Sequence, residues 1–536
     1  MAKRPRPKHA AKSSAGLPDM VDRALPQLRA AMGFWREGRR HDAIALFNET
    51  IRHEPHNVQS YVVPARAYAE KFDFARMDEA LDRLVRRAPR HPGVYHYIGE
   101  TYGMLKLPDR ALAAYAKAAD LPGAGPPTWM ELASLYERAH RLDEAAELIE
   151  RTARSGYDLP LVDLIRGRIQ RRQQQTDAAE ATFRGLIARA RPASDWVCEA
   201  WSEIALMHDA VGDYPGAVAA IAACKEIQRG REVPHWALSE QAHGMMRAMI
   251  DAITADCFRR WRDDAASTPL SSPKDGEPNR VALLTGFPRS GTTLLEQLLD
   301  AHPQLVSSEE RDFIGCEFLH TVAMRHSGAP LLESLDGFPS VEIAAERRRY
   351  FAAMEYFLGS PIAARLHLDK NPAYNLTIPL VLRLFPETRL IVALRDPRDV
   401  VLSCYLRYLP LNAVSVRFLD PVRTAERYAL DMSAWLKFRD LIETPWREVR
   451  YEDTVADAAR QARLALETLG LPWDEQVLGY RERLSGEKHK QVTSPSYEAV
   501  AQPIYTRAIG RWQHYEELLA PAMKTLEPFV REFGYA

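Results

Sequence analysis

Residues 281–310 read VALLTGFPRSGTTLLEQLLDAHPQLVSSEE, and this stretch decides the fold of the C-terminal half. The apolar run 281–284 has the length and composition of a buried strand. It leads into Gly286-Phe287-Pro288-Arg289-Ser290-Gly291-Thr292-Thr293, then into Leu294, Leu295, Leu298 and Leu299 at helical spacing. Strand, glycine-bracketed loop and helix in that order form a phosphate cradle. The glycines let the backbone approach an anion, and the N–H groups that open the helix have no intrahelical partner and can bind it. A nucleoside triphosphatase has lysine immediately after the second glycine, where it neutralises the β- and γ-phosphates. Here Thr292 occupies that position and the loop's cation is Arg289, which argues against a triphosphate ligand.

Strand and helix signals alternate onward from the cradle. Residues 366–372, LHLDKNP, read as a short strand entering a loop that carries Lys370. Residues 389–394, RLIVAL, read as a buried strand that ends in Arg395-Asp396-Pro397-Arg398-Asp399, with Ser403 on the helix that follows. Arg395 and Ser403 can grip one phosphate from two sides, because a planar guanidinium meets phosphate through two parallel hydrogen bonds. A salt-bridged turn is the plain alternative for this arginine–aspartate run. Residues 449–453, VRYED, form a later strand edge with Tyr451, and 491–512 read as a loop folding over the site. This alternation predicts a three-layer α/β domain with a parallel sheet, its ligand lying across the carboxyl ends of the strands.

PRSGTT, followed by LLDAHP and the pair Glu309-Glu310, resembles the 5′-phosphosulfate loop of sulfotransferases. It is most similar to the tyrosylprotein branch and to bacterial proteins that join tetratricopeptide repeats to such a domain. The resemblance covers roughly residues 279–536. It implies 3′-phosphoadenosine 5′-phosphosulfate (PAPS) as co-substrate, with no metal. Pro288, Arg289, Ser290, Gly291, Thr292 and Thr293 would then hold the 5′-phosphate and sulfuryl group, Arg395 and Ser403 the 3′-phosphate, and Tyr451 the nucleotide. An acceptor hydroxyl is a poor nucleophile until a base takes its proton. The resemblance assigns that base to Glu310, 21 residues beyond Arg289. His302, before a proline at a helix end, is the rival. Lys370 would stabilise the bridging oxygen as its bond to sulfur breaks, and Ser496, seven residues before Pro503, would assist. Two positions depart from the tyrosylprotein pattern: Asn371 stands where aspartate is frequent, and Gln502 stands where lysine precedes Pro503, with Arg507 or Arg511 as substitutes. The acceptor class stays open among tyrosine in a peptide, carbohydrate, lipid and small-metabolite hydroxyls.

The N-terminal half repeats at a period near 34 residues. Pro55 and Pro89 are 34 apart, and HDAIALF, MDEALDRL, PDRALAAY, LDEAAELI, TDAAEATF and YPGAVAAI recur between residues 41 and 221. A small alanine in each block lets two helices approach, and a following large residue fills the gap. This is a tetratricopeptide-like solenoid of about six repeats. Its concave face suits a peptide or partner protein; a spacer or homodimerisation arm is the alternative. Residues 241–264 read as one further helix. The expected organisation is a disordered basic tail over 1–20, repeats over 21–264, a Pro/Ser/Gly linker over 265–279 and the α/β domain over 280–536.

Net charge is −1 over 536 residues, so no global field points to nucleic acid. Five scattered cysteines without C-x-x-C spacing suggest a reducing, cytoplasmic setting, and no metal-ligand motif is present. No apolar run approaches the ~20 residues that span a bilayer, and the basic N-terminus lacks the apolar segment of a secretory signal. Two other function classes fit parts of the chain: a P-loop kinase or triphosphatase, and a repeat scaffold with a silent catalytic domain.

Overall fold

A computed structural model describes residues 21–157, 159–267, 280–325, 328–485 and 506–535. The regular structure described before residue 268 is helical and paired: Val21–Arg36 with Arg40–His53, Gln59–Glu70 with Phe74–Arg87, Pro92–Met104 with Pro108–Asp120, Pro126–Arg138 with Leu142–Arg154, Pro160–Arg172 with Thr176–Arg189, and Asp195–Ala210 with Tyr214–Arg229. In the second helix of each pair an alanine and the residue four later are both buried: Ala43 and Phe47, Ala80 and Leu84, Ala111 and Tyr115, Ala145 and Ile149, Ala179 and Phe183, Ala217 and Ile221. Residues four apart share a helix face, so the small side chain sets the approach and the large one fills the seam.

The turn inside each pair repeats as closely as the core. Gly38, Phe72, Lys106, His140, Gln174 and Gly212 all have left-handed backbone, with φ between 51° and 80°. The residue after each donates its N–H to a carbonyl five positions earlier, as Asp73 does to Tyr68 and Gln175 to Gln170, both at 2.9 Å. This is the Schellman closure, which satisfies carbonyls left open at a helix end. Four of the six positions are not glycine, so sequence punctuation alone does not reveal them.

Two helices follow, Val233–Ala252 and Ala255–Ser267, where one was expected over 241–264. Extended backbone at Ile253 (ψ 141°) separates them. The chain divides into two compact units, residues 1–128 and 129–536, so the later repeats belong with the α/β domain. Within the second unit, Lys225 Nζ and Gln228 Nε2 donate to the carbonyls of Arg407 and Leu409, each at 2.8 Å. Trp261 is buried, and its indole donates to Asp336 at 2.6 Å. Most of the expected linker, 268–279, and the N-terminal tail, 1–20, lie outside the described residues.

Among the described residues the sheet has five parallel strands, β1 (Arg280–Gly286), β2 (Leu305–Ser307), β3 (Leu366–Lys370), β4 (Arg389–Leu394) and β5 (Trp446–Arg450), in the order β2-β3-β1-β4-β5. β1 is buried along all but its first residue, as a central strand covered on both faces must be. The helix Thr292–Asp300 and the helix Ala458–Leu469 contribute Leu295, Leu298, Leu466 and Leu469 to one cluster with Leu284, Leu368 and Ile391 of the sheet. From β1 the chain runs to β2 and β3 on one side, then crosses to β4 and β5 on the other. The topological switch point therefore lies at β1, directly beyond which the cradle begins.

A contrast inside one repeat tests the packing. A side chain at Gly167 would run into the buried Phe183 ring, whereas Gly185, exposed on the partner helix, faces open space. Gly185→Ala should stabilise the protein by up to ~1 kcal/mol through helix propensity. Gly167→Ala should destabilise it, because overpacking costs about 1–3 kcal/mol and outweighs the same propensity gain. Thermal unfolding of both variants checks the opposite signs; equal shifts would contradict the interdigitation.

Candidate active site at the carboxyl ends of the strands

All five strands run the same way, so their carboxyl ends share one edge of the sheet. Each delivers a sequence-predicted residue there. β1 leads into residues 288–293, β2 into Glu310, β3 ends on Lys370, β4 is followed by Arg395 and β5 by Tyr451.

The cradle loop is held by two close approaches. Gly286 has φ 149°, and a side chain there would collide with the carbonyl of Ala393 on β4. Gly291, with φ 92°, caps the helix Thr292–Asp300, and a Cβ on it would lie 2.6 Å from the Tyr451 ring. Between them Arg289 adopts φ 75°, a left-handed conformation that a non-glycine residue holds only when its surroundings impose it.

Arg289 is tied to β4. Its Nε donates to Ser403 Oγ at 3.1 Å, and Arg395 Nη1 donates to the Arg289 carbonyl at 3.2 Å. Arg395 Nη2 reaches the Ala508 carbonyl at 2.5 Å, and the guanidinium lies 5.0 Å from the Tyr451 ring centroid. Arg395 is buried, yet its Nε has no hydrogen-bond partner among the described residues. A buried, unsatisfied charged donor is costly, and an anion placed against it removes the cost. Behind this group the two oxygens of Asp399 accept the N–H groups of Gly510 and Trp512, each at 2.8 Å. Burial lifts the Asp399 carboxyl above its ordinary range, against the pull of Arg395 and those two N–H groups.

The second cluster lies at the ends of β3 and β2. Lys370 is 0% exposed, and its Nζ sits 2.8 Å from Glu310 Oε1 and 3.1 Å from Glu296 Oε2. Burial by itself would lower the lysine's pKa, but the carboxylates of Glu296 and Glu310 outweigh it and the net shift is upward. Glu310 retains 22% side-chain exposure, so the pair opens toward solvent on the glutamate side. The adjacent Glu309 is buried with φ 63°, and Glu310 is matched with Lys370 rather than with its sequence neighbour.

His302 is excluded as a base by its bonds. Its Nδ1 accepts the Gln304 N–H at 3.1 Å and its Nε2 meets the Pro472 carbonyl at 2.9 Å, so both ring nitrogens have structural partners. Arg511, offered with Arg507 as a substitute for the lysine missing before Pro503, pairs with Asp209 of the repeat helix Asp195–Ala210, Nε at 3.0 Å and Nη2 at 2.7 Å. Ser496 and Gln502 lie outside the described residues. Sequence reasoning missed Glu296. The chain alone carries no signal for it: only the burial of the helix Thr292–Asp300 at all nine positions shows that Glu296, Gln297 and Asp300 each need an internal partner. Among the described residues, no three His, Cys, Asp or Glu side chains are grouped to hold a metal.

On the other face of β3 a polar chain runs from Ser308 Oγ to His367 Nε2 (3.0 Å), from His367 Nδ1 to the Tyr350 hydroxyl (3.0 Å), and from that hydroxyl to Asp369 Oδ2 (2.8 Å). Burial pushes the Asp369 carboxyl up to about 7; the Tyr350 hydrogen bond opposes this and the charges of Asp312 and Glu296 add to it. The folded protein therefore holds an extra proton between the unfolded carboxyl value of about 4 and about 7, and stability from this group falls as pH rises through that window. Asp369→Asn, which keeps an acceptor for Tyr350, should unfold at a higher temperature than wild type at pH 8, with the gap closing toward pH 4. A difference that stays constant with pH would contradict the assignment.

Residues 282–475 match the model of the Sulfotransferase family. An uncharacterized protein of Aquifex aeolicus (strain VF5) is 26% identical over 262 residues, which is 47% of this chain and 33% of that protein. Protein-tyrosine sulfotransferase 2 of Gallus gallus is 25% identical over 263 residues, 48% of this chain and 69% of that one. Among solved structures, the sulfotransferase domain of the Synechococcus PCC 7002 olefin synthase aligns with 49% of this chain and 98% of its own, at 20% identity and a TM-score of 0.34. The chain thus spans a third of the length of the first of these relatives and about two thirds of the second. Its C-terminal half carries a sulfotransferase-family domain, preceded in sequence by an all-helical repeat region.

Proposed function

We propose that the chain transfers a sulfuryl group from PAPS to an acceptor hydroxyl. The observation that carries this reading is the junction of the cradle with β4: Arg289 bound to Ser403, Arg395 bound to the Arg289 carbonyl, and a buried Arg395 Nε without a partner among the described residues. Two anion grips in contact suit a nucleotide that carries phosphate at both its 5′ and 3′ positions. Residues 288–293 would hold the 5′-phosphate and sulfuryl group, Arg395 and Ser403 the 3′-phosphate, and Tyr451 the nucleotide between them.

Glu310 accepts the acceptor's proton while the acceptor oxygen attacks sulfur. The new S–O bond forms as the bond from sulfur to the bridging oxygen breaks, and its electron pair passes to the departing 5′-phosphate, whose charge the Lys370 ammonium stabilises. Adenosine 3′,5′-bisphosphate is the other product. Without substrate, Lys370 and Glu310 neutralise each other at 2.8 Å; the seated donor gives Lys370 a new anion and frees Glu310 for the acceptor. Ser496 joins this proposal as a second stabiliser of the leaving oxygen.

The match to protein-tyrosine sulfotransferases favours tyrosine in a peptide as acceptor, with the repeats docking that peptide or its parent protein. Among the described residues the five cysteines form no disulfide, which supports a reducing, cytoplasmic setting. Among the described residues, no helix is long and apolar enough to cross a membrane.

Calorimetry with adenosine 3′,5′-bisphosphate tests the donor site. Arg395→Ala should weaken binding roughly 10- to 150-fold, the equivalent of about 1.5–3 kcal/mol for a hydrogen bond to a charged group; unchanged affinity would sink the 3′-phosphate assignment. Glu310→Gln should retain nucleotide binding and lose about 10²–10⁴ in transfer from labelled PAPS to tyrosine-containing peptides, the usual contribution of a general base. Full turnover in that variant would reject Glu310 as the base.

A further inference from the structure

The charged cluster at the end of β3 has a third member. Glu296 is 0% exposed on the helix Thr292–Asp300. Its Oε2 lies 3.1 Å from Lys370 Nζ, and its Oε1 accepts the Ser307 hydroxyl at 2.5 Å. Ser307 is itself fixed, its N–H bound to Asp300 Oδ1 at 2.6 Å from the same helix. Glu296 is therefore held from two sides, and Lys370 is held between it and Glu310.

The two carboxylates differ in what turnover does to them. Glu310, partly exposed on a loop, must release Lys370 to reach an acceptor, and on accepting the proton it becomes neutral. The ammonium then loses one of its two protein counter-charges, which leaves Glu296 as the carboxylate that holds it against the donor's phosphate. A fully buried lysine with no counter-charge gives up its proton. Glu296, ion-paired with Lys370 at 3.1 Å and bound to the Ser307 hydroxyl, takes no part in that proton transfer.

The neighbouring charges do not take its place. Arg311 donates to the Ser308 carbonyl and stacks 4.3 Å over Phe357. Asp369 lies on the opposite face of β3 against Tyr350, Asp312 accepts the Tyr374 hydroxyl, and Asp300 accepts the Ser307 N–H. Glu309 adds only a minor upward push on Lys370.

We infer that Glu296 is a positioning residue for sulfuryl transfer: it holds Lys370 in place and cationic while Glu310 carries the acceptor's proton. The inference rests on the reading of Lys370 as the leaving-group cation.

The full chain labelled with ¹³Cε-lysine provides the test, the Lys370 signal being identified by its loss in Lys370→Arg. Wild type should keep an ammonium signal up to pH 10. Glu296→Gln, which preserves shape, should lower the Lys370 titration midpoint by at least about one pH unit, and the alkaline limb of the transfer rate should move down with it. Glu296→Asp, which restores the charge, should stay near wild type. The reverse order, with Gln silent and Asp disruptive, would mark Glu296 as packing only and overturn the inference. If Glu296→Gln does not fold by circular dichroism, Ser307→Ala, which frees the Glu296 carboxylate, should lower the midpoint by a smaller amount, and no shift there also overturns it. A lowered midpoint supports the inference even where adenosine 3′,5′-bisphosphate fails to bind, in which case the donor assignment falls. An unmoved midpoint overturns the inference even where the nucleotide binds.

Discussion

The ammonium of Lys370, sealed from water, hydrogen-bonded to Glu310 and ion-paired with Glu296, is the constraint on which the rest of the site depends. Desolvation of a lone cation inside a protein costs several kcal/mol, so the fold must bring carboxylates to it. It does so from two elements that share no local sequence: the helix that follows β1 and the loop that follows β2. That requirement fixes the helix Thr292–Asp300 against the edge of the sheet. The same helix opens the cradle, so the position of the anion loop and the position of the lysine are one geometric fact.

The sheet order produces the second half of the arrangement. Because β1 lies between β3 and β4, the loop at its end touches residues from both sides, Lys370 through the helix and Arg395 through the Arg289 carbonyl. The later repeats then hold the rim. Lys225 and Gln228 pin the carbonyls of residues 407 and 409, just after the Ser403 helix, and Asp209 receives both Arg511 and the Tyr515 hydroxyl (2.6 Å) from the segment that also supplies the Ala508 carbonyl to Arg395. Burial pushes the Lys225 ammonium down to about 8, with neighbouring cysteines opposing the shift. The repeat region of the second unit is thus part of the scaffold that shapes the site.

Much of this is written locally in the chain. The strand–loop–helix order around GFPRSGTT, the buried run before Arg395 and the short strand ending on Lys370 all follow from periodicity and turn chemistry, and each stands where that reading puts it. The alanine rhythm of the repeats is legible for the same reason, since it acts between residues four apart. What the sequence conceals depends on distant partners. Glu296 looks like the polar position of an amphipathic helix until the helix proves to be buried on every side. Arg511 looks available to an anion until Asp209, some 300 residues earlier, takes it. The left-handed turns at Phe72, Lys106, His140 and Gln174 carry none of the glycines that announce such turns, because packing of the paired helices imposes them.

The most direct measurement is a crystal structure of the full chain with adenosine 3′,5′-bisphosphate. The account predicts the 5′-phosphate on the backbone of residues 288–293 with Lys370 Nζ turned toward it, the 3′-phosphate on Arg395 and Ser403, and Glu296 still holding the lysine after Glu310 has let go. Nucleotide bound elsewhere, or seated in the cradle with Lys370 still closed on Glu310 and Arg395 Nε unmet, would contradict it.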